Sequence, residues 1–405
     1  MGKEASTGFD QDIYNRALSS IAHGALTNSK RPECLVKGVY PTHLTKGQGA
    51  YVWDTKGKRY IDYICGLGSS ILGYAHEEVT RAVIDQAKKG ATLSLGTDIE
   101  VQCAEKVKEI FPWVDRVRFL KTGSDACASA LKIARAATGR LEVQSTGYHG
   151  HADEFVSMTP PALGVPPHAN IRMSDEPRPN TAAVIIEPIV TDWSEDRIAY
   201  LRQLRQRCDD TGALYVADEI ITGFRWPKQS VSNHHGIKPD LICLGKAMAN
   251  GMPISVVAGK KEIMECGEYF VSSTFAGETL SLAAALKTMT LLQTRYDMNF
   301  LWSRGARFIE RFNSLSGGKV MISGYPTRGV FVGEMIDKAL FWQEACRAGL
   351  LFGPSFFYNF AHPDLDDLVL NTVSDIFTRL RTGGVKLMGE MPKSPFAQKM
   401  REIKS

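Results

Sequence analysis

A lysine and an aspartate, each closing an apolar, β-branched run, are the residues in this chain best placed to do chemistry. The run LYVAD ends on Asp218 and the run LICLGK ends on Lys246. Each run predicts a buried strand, and in an open α/β sheet ligands bind beyond the carboxyl ends of the strands, where the loops converge. Alone, Asp218 could cap the segment after it and Lys246 could be a solvated loop residue. Together they offer an amine that can condense with an aldehyde and a carboxylate that can keep a heterocyclic nitrogen protonated. Ile220 lies two residues beyond Asp218, on the same face of an extended chain, and could rest against a flat ring.

Pyridoxal 5′-phosphate (PLP) requires such a set, and it also requires a phosphate site. The stretch VRFLKTGSDACASALKIARAATGR predicts a strand over 117–120, a tight turn over Thr122-Gly123-Ser124-Asp125, and a helix that Gly139 ends. The first amides of such a helix have no intrahelical partner and its dipole favours negative charge, so Gly123 and Ser124 could cradle a phosphate. A plain Ser/Asp cap is the simpler reading of that turn taken by itself. Tyr148, set between glycines in TGYHGH, could stack on a planar ring. TAAVIIEP places Glu187 at the end of a third buried strand.

These residues must be held by a large α/β core. The chain has 405 residues, 44% of them hydrophobic, which suits two domains. The formal charge is +4 and the basic residues are scattered, so neither nucleic acid nor a membrane surface is indicated as a partner. Eight dispersed cysteines with no CxxC pair, and histidines without metal-binding spacing, predict free thiols and no metal. The polar N-terminus has no apolar core of a signal peptide, and no apolar run is long enough to span a bilayer; a cytoplasmic location is expected.

In chain order, a helix is expected over 10–22 and a hairpin turns at Lys56-Gly57 in YVWDTKGKRYID. GLGSSILG lacks the GxGxxG spacing and follows a hairpin, which argues against a dinucleotide loop. Helices are expected over 77–89, 99–110, 198–211, 280–294, 298–315 and 365–381, with strands over 320–324 and 329–335. The Pro-rich stretch 157–180, with little helical or strand pattern, reads as a loop that could cover a site; 234–239 reads as a loop and 262–267 as a short connection. The tail from Met388 is basic and polar and is expected to cover the small domain or fray. Ser29 and Arg31, in the loop ALTNSKRPE, could bind an anionic substrate, and Arg328 is a further candidate.

RYIDYICG, FLKTGSDA, YHGHAD, Glu187-Pro188, DEIITGFR, PDLICLGKAMANGMP, STFAGETLSLAAA and FAHPDLDDL occur in this order. From Gly47 to His362 the chain resembles the class III PLP-dependent aminotransferases of fold type I, and among them glutamate-1-semialdehyde 2,1-aminomutase and its relatives. The resemblance implies a large PLP-binding domain over 60–294 with a mostly parallel, helix-flanked sheet, and a small α+β domain built from 1–59 and 295–405. It implies that Lys246 forms the Schiff base, that Asp218 pairs with the pyridinium nitrogen, and that Gly123 and Ser124 hold the phosphate. Tyr148 and Ile220 would face the two sides of the ring, and Glu187 would support its polar edge. Thr274 would reach the phosphate of a partner subunit, making a homodimer with shared sites.

The departures bear on substrate. Glu278-Thr279 stands where the family has Asn-Pro, Leu67 stands near an expected aromatic, and the Ser29/Arg31 spacing is one residue shorter. EPIVTD lacks the glycine and asparagine usual after Glu-Pro. The expected activity is therefore amino transfer between an amino donor and a carbonyl acceptor. An intramolecular aminomutase, a PLP decarboxylase and a catalytically silent protein of the same fold are the alternatives.

Overall fold

The computed structural model describes residues 8–158, 162 and 164–394. The chain forms two compact units. Among the described residues the larger comprises those of 68–71 and 76–302, and the smaller those of 8–67, 72–75 and 303–394.

The larger unit is built on a seven-stranded sheet. Its strands are β1 (Arg116–Leu120), β2 (Glu142–Thr146), β3 (Ile171–Met173), β4 (Thr181–Ile186), β5 (Leu214–Asp218), β6 (Leu241–Leu244) and β7 (Ser255–Gly259), in the spatial order β1-β7-β6-β5-β4-β2-β3. Strands β2 to β6 pair in parallel, and β7 runs antiparallel to both β6 and β1. All six residues of β4 and all four of β6 are buried, which is why they read as unbroken apolar runs: a parallel sheet is covered on both faces.

Helix α1 (Gly123–Thr138) covers the centre of one face. It starts at a reciprocal box in which Thr122 Oγ1 accepts from the Asp125 N–H and Asp125 accepts from the Thr122 N–H, and it stops at Gly139 with φ 66°. Its inner face is Ala126, Cys127, Ala130, Leu131, Ile133 and Ala134, all buried with Leu120, Val143, Ile185, Val216 and Val257 of the sheet. Small residues let the helix approach the strands closely, and each fully buried Ile or Leu contributes about 1.5–3 kcal/mol. Helix α2 (Glu195–Thr211), capped by Ser194, contacts β4 and β5, and helix α3 (Thr279–Thr294) is capped by Glu278.

Four expectations are corrected. Residues 171–173 form β3 and pair in parallel with β2, although nothing in a three-residue edge strand sets up a period. The expected loop 234–239 is entered from a helix over Val231–His235, and 262–267 overlaps a one-turn helix over Lys261–Met264. The strand expected over 329–335 ends at Val332, and Met335 opens a helix that runs to Arg347.

The smaller unit contains a three-stranded antiparallel sheet (Met321–Tyr325, Arg328–Val332, Ser355–Phe357) and a four-stranded sheet (Leu44–Gln48, Tyr51–Asp54, Arg59–Asp62, Leu350–Leu351). The hairpin turns where expected: Asp54 Oδ1 accepts from the amides of Lys56 and Lys58 at 2.9 and 2.8 Å, and Gly57 adopts φ 79°. Stacked rings fill its core, with Tyr63 at 4.8 Å from Phe352 and Phe341 at 5.0 Å from Phe377. The C-terminal stretch packs back on this unit as far as Lys393: the Glu390 N–H donates to the Lys37 carbonyl at 2.8 Å and the Lys393 N–H to the Glu33 carbonyl at 2.7 Å.

Candidate active site

Because β1, β2, β4, β5 and β6 all point the same way, the residues that follow them gather at one edge of the sheet. A cleft of about 370 Å³ opens there, lined by Lys121, Gly123, Ser124, Tyr148, His149, Glu187, Asp218, Ile220 and Lys246 among others. Seven of the residues expected to hold a cofactor, Gly123, Ser124, Tyr148, Glu187, Asp218, Ile220 and Lys246, thus meet in one place.

Lys246 follows β6 after Gly245 and is held at φ 39°, a left-handed conformation that costs a non-glycine residue about 1–2 kcal/mol. Ala247, Met248 and Ala249 behind it are buried and hold the strained turn in place. Asp218 ends β5 and is buried; its Oδ1 accepts from the Ile220 N–H at 3.0 Å and its Oδ2 faces His149 Nδ1 at 2.7 Å. The other ring nitrogen, Nε2, faces the Thr146 carbonyl at 3.0 Å. Both nitrogens meet acceptors, an arrangement that favours the doubly protonated, cationic ring. Burial opposes that charge, but the Asp218 carboxylate, then Glu187 and the Thr146 carbonyl, outweigh it and raise the His149 pKa.

Cys127, on α1, brings its sulfur to the same spot: Cys127, His149 and Asp218 hold their donor atoms within 4.8 Å of one another. Burial, then hydrogen bonding to Cys243 and the charge of Asp218, keep the Cys127 thiol well above its ordinary pKa and neutral. With both His149 nitrogens already engaged, the trio is a hydrogen-bonded ion pair beside a thiol. Sequence reasoning weighed His149 only as a metal ligand, set that reading aside for want of spacing, and gave it no other role. Its place in the loop after a strand that ends at the same sheet edge is the signal that could have exposed it as the partner of Asp218.

The phosphate turn has the features an anion needs. The N–H groups of Gly123 and Ser124, the first two of α1, have no partner among the described residues, and the Asp125 carboxylate is turned back onto the Thr122 N–H. Ser124 Oγ accepts from the amides of His151 and Ala152 at 3.0 and 3.1 Å, leaving its proton to donate. A Cβ at Gly123 would come within 2.9 Å of Ile220 Cγ2, and one at Gly150, which has φ +110°, would lie 2.5 Å from Ser124 Cβ. The glycines keep the cradle open, so the donor set and the shape fit a phosphorylated planar ring.

Lys121, just before the turn, was not singled out by the sequence. Its Nζ donates to Glu278 Oε2 at 2.8 Å and to the Pro253 carbonyl at 3.2 Å, so Glu278, standing where the family has Asn, ties the cap of α3 to the cleft rim. Tyr148 is 58% exposed, with its N–H 3.5 Å from Glu187 Oε1. Thr274 is exposed and does not line the cleft. Ser29 is exposed, Arg31 is half-buried with Nε lacking a hydrogen-bond partner, and both belong to the smaller unit. Arg328 is buried at the start of a strand of that unit.

A family model described as aminotransferase class-III matches residues 36–170 and 166–356. The chain belongs to that family of PLP-dependent enzymes, which exchange an amino group with a carbonyl, and its fold is the fold type I of those enzymes. Among solved structures it is similar to the PLP internal aldimine form of the FumI protein of Sphingopyxis sp. MTA144, with 25% identity and a TM-score of 0.85 over 93% of this chain and 99% of that one. An omega-transaminase from Sphaerobacter thermophilus (21% identity, TM-score 0.80, 91% of this chain and 97% of that one) shares the fold. So does a glutamate-1-semialdehyde aminomutase from Pseudomonas aeruginosa PAO1 (20% identity, TM-score 0.79, 91% and 94%). Among the described residues no helix is long and apolar enough to cross a membrane.

Proposed function

We propose that this chain transfers an amino group between separate donor and acceptor molecules, with Lys246 and Asp218 as its two reacting-site groups. The observation that carries the reading is the convergence of Lys246, the Asp218–His149 pair and the open Gly123/Ser124 turn on one cleft. PLP, when bound, supplies an aldehyde for the amine and a ring that takes up the electron pair left at Cα. Asp218 would hold a proton on the ring nitrogen, and His149 would fix the carboxylate that does so. Gly123 and Ser124 would bind the phosphate through N–H groups and the Ser124 hydroxyl. Tyr148 and Ile220 would confine the ring, Glu187 would orient its polar edge, and Lys246 Nζ would take the proton from the donor Cα.

Leu67 in place of an aromatic, and the altered Ser29/Arg31 spacing, favour transfer between molecules over the aminomutase reaction. Ser29 and Arg31 remain candidates for a substrate carboxylate. A homodimer is part of the same reading. Phe270 (81% exposed) and Phe275 (56%) flank Thr274, and Leu93 and Leu95 stand exposed on a loop whose Gly90 and Ala91 carbonyls accept from Thr279. Such an apolar surface is suited to a second copy, to whose cleft Thr274 could reach. The location we propose is the cytoplasm, on the strength of eight free cysteines.

The test is an absorption spectrum of the PLP-loaded protein with a panel of amino donors, beside Lys246→Ala. Bleaching of the cofactor band by a donor and its recovery on adding a keto acid is the expected result. A band that no donor changes, but that a single amino-carbonyl compound isomerises without a second substrate, would make the chain an aminomutase.

A further inference from the structure

Away from the Lys246 cleft, the larger unit carries two adjoining clefts of about 840 and 550 Å³ that share Trp113 and Lys238. Their charges do not balance. Glu109 pairs with Lys106, Asp209 and Asp240 share the single Arg205, and Asp297 accepts from the Asn299 N–H at 2.9 Å, which leaves two carboxylate charges unmatched against the cations that follow. Arg295, also in the lining, is paired with Glu78. Lys228, Lys238, Lys260 and Arg202 remain, all exposed and with no side-chain partner among the described residues.

Two further features belong to the lining of the larger cleft. Lys228 and Gln229 are consecutive non-glycine residues in left-handed backbone, with φ 55° and 69°, a strain that the surrounding structure must hold. Gln229 Oε1 is buried without a hydrogen-bond partner among the described residues. Behind the lining, packed on Trp226, His234 and His235 hold their rings 4.6 Å apart, with His234 Nδ1 and His235 Nε2 buried and without a hydrogen-bond partner among the described residues. Burial, then His234 and Arg202, push His235 down to about 4 against the pull of Glu195, and burial and Lys228 lower His234. This surface has a surplus of positive charge that its own carboxylates do not neutralise.

We propose that these joined clefts are a binding site for a small polyphosphate anion, held by Lys228, Lys238, Lys260 and Arg202. Cations with no ion pair of their own gain most from a ligand that brings several negative oxygens, because no internal partner must first be displaced. A nucleoside triphosphate and an inorganic polyphosphate share this chemistry, and the half-buried Trp113 ring at the junction offers a stacking face that only the first would use. The site is separate from the cofactor cleft: the two share no lining residue.

The experiment is isothermal titration calorimetry of inorganic tripolyphosphate and of ATP into the PLP-loaded enzyme at constant ionic strength. Excess PLP keeps the cofactor's phosphate cradle filled. The expected result is saturable binding of both probes at one site per chain, weakened about tenfold or more by Lys238→Glu and by Arg202→Glu and weakened by added salt. Both variants should keep the wild-type Tm and amino-transfer rate. ATP binding tighter than tripolyphosphate by about tenfold, with the difference removed by Trp113→Ala, would identify the ligand as a nucleotide; equal binding would leave the inorganic polyanion. Absence of saturable heat, binding equally tight in both charge-reversal variants, or binding of long oligonucleotides alone would overturn the proposal.

Discussion

At the scale of single residues, the cleft separates two jobs that its sequence motifs present side by side. Lys246 is a nucleophile and base held in strained backbone, so its loss removes chemistry rather than structure. Lys246→Ala should fold with a wild-type Tm and lose at least about a thousandfold in the donor half-reaction, followed by stopped-flow absorbance. His149 is the opposite case, a buried cation whose work is to hold Asp218. His149→Gln keeps one donor but not the charge, and should cost about 1–3 kcal/mol in urea denaturation together with cofactor affinity measured by fluorescence quenching. The pH dependence has a definite sign. The folded ring has a pKa raised above the ordinary 6.5, so folding is favoured by the protonated form. The stability gap between wild type and His149→Gln should therefore be full below about pH 6.5 and shrink as pH rises through the folded value. A gap that widens with pH would mean that the ring is neutral in the fold.

At the scale of elements, the turns decide whether the strands can deliver these groups. Gly150 faces Ser124 at a distance that admits no Cβ, and its φ of +110° is one that alanine resists. Gly150→Ala should cost about 2–4 kcal/mol and loosen PLP binding through Ser124, whereas Gly139→Ala, with open space around it, should cost only the strain of its left-handed cap, about 1 kcal/mol. Equal losses in denaturant midpoint would show that crowding at Ser124 does not matter. The contrast also marks what a sequence can reveal. The strands ending at Ile186, Asp218 and Leu244 were legible because each is an apolar run of strand length closed by a charged or glycine residue, and the one ending at Leu120 because VRFL leads directly into a Gly-Ser turn. Gly139 was legible as a helix stop for its position after a periodic run. β3 was not legible, since three residues at a sheet edge make no period, and the place of β7 was hidden because one of its two partners, β1, lies far earlier in the sequence. The same limit hid the Asp218–His149 bond, which joins residues 69 apart. A local pattern names groups that can react, but it does not say which distant group orients them.

At the scale of the whole molecule, what remains open on this chain is its apolar surface around Thr274. Phe270 and Phe275 expose large rings within five residues of one another, and Leu95 is 84% exposed on the loop that Thr279 holds. Scattered single apolar residues need no partner, but large exposed rings on both sides of one threonine are the kind of surface a partner covers. The Lys121–Glu278 pair anchors the end of that segment to the rim of the same chain's cleft. A partner seated on the patch would thus be felt at the cleft even before any of its own residues entered it. Phe270→Asp with Phe275→Asp should convert a dimer to a monomer in light scattering, since two charges buried in an interface of about 800 Å² per subunit cannot be neutralised there. Thr274→Ala should leave the dimer intact and weaken PLP binding alone. If the Phe270/Phe275 double variant stays dimeric, the interface lies elsewhere and Thr274 serves no shared site; if it becomes monomeric and keeps full PLP affinity, the cleft is complete within one chain.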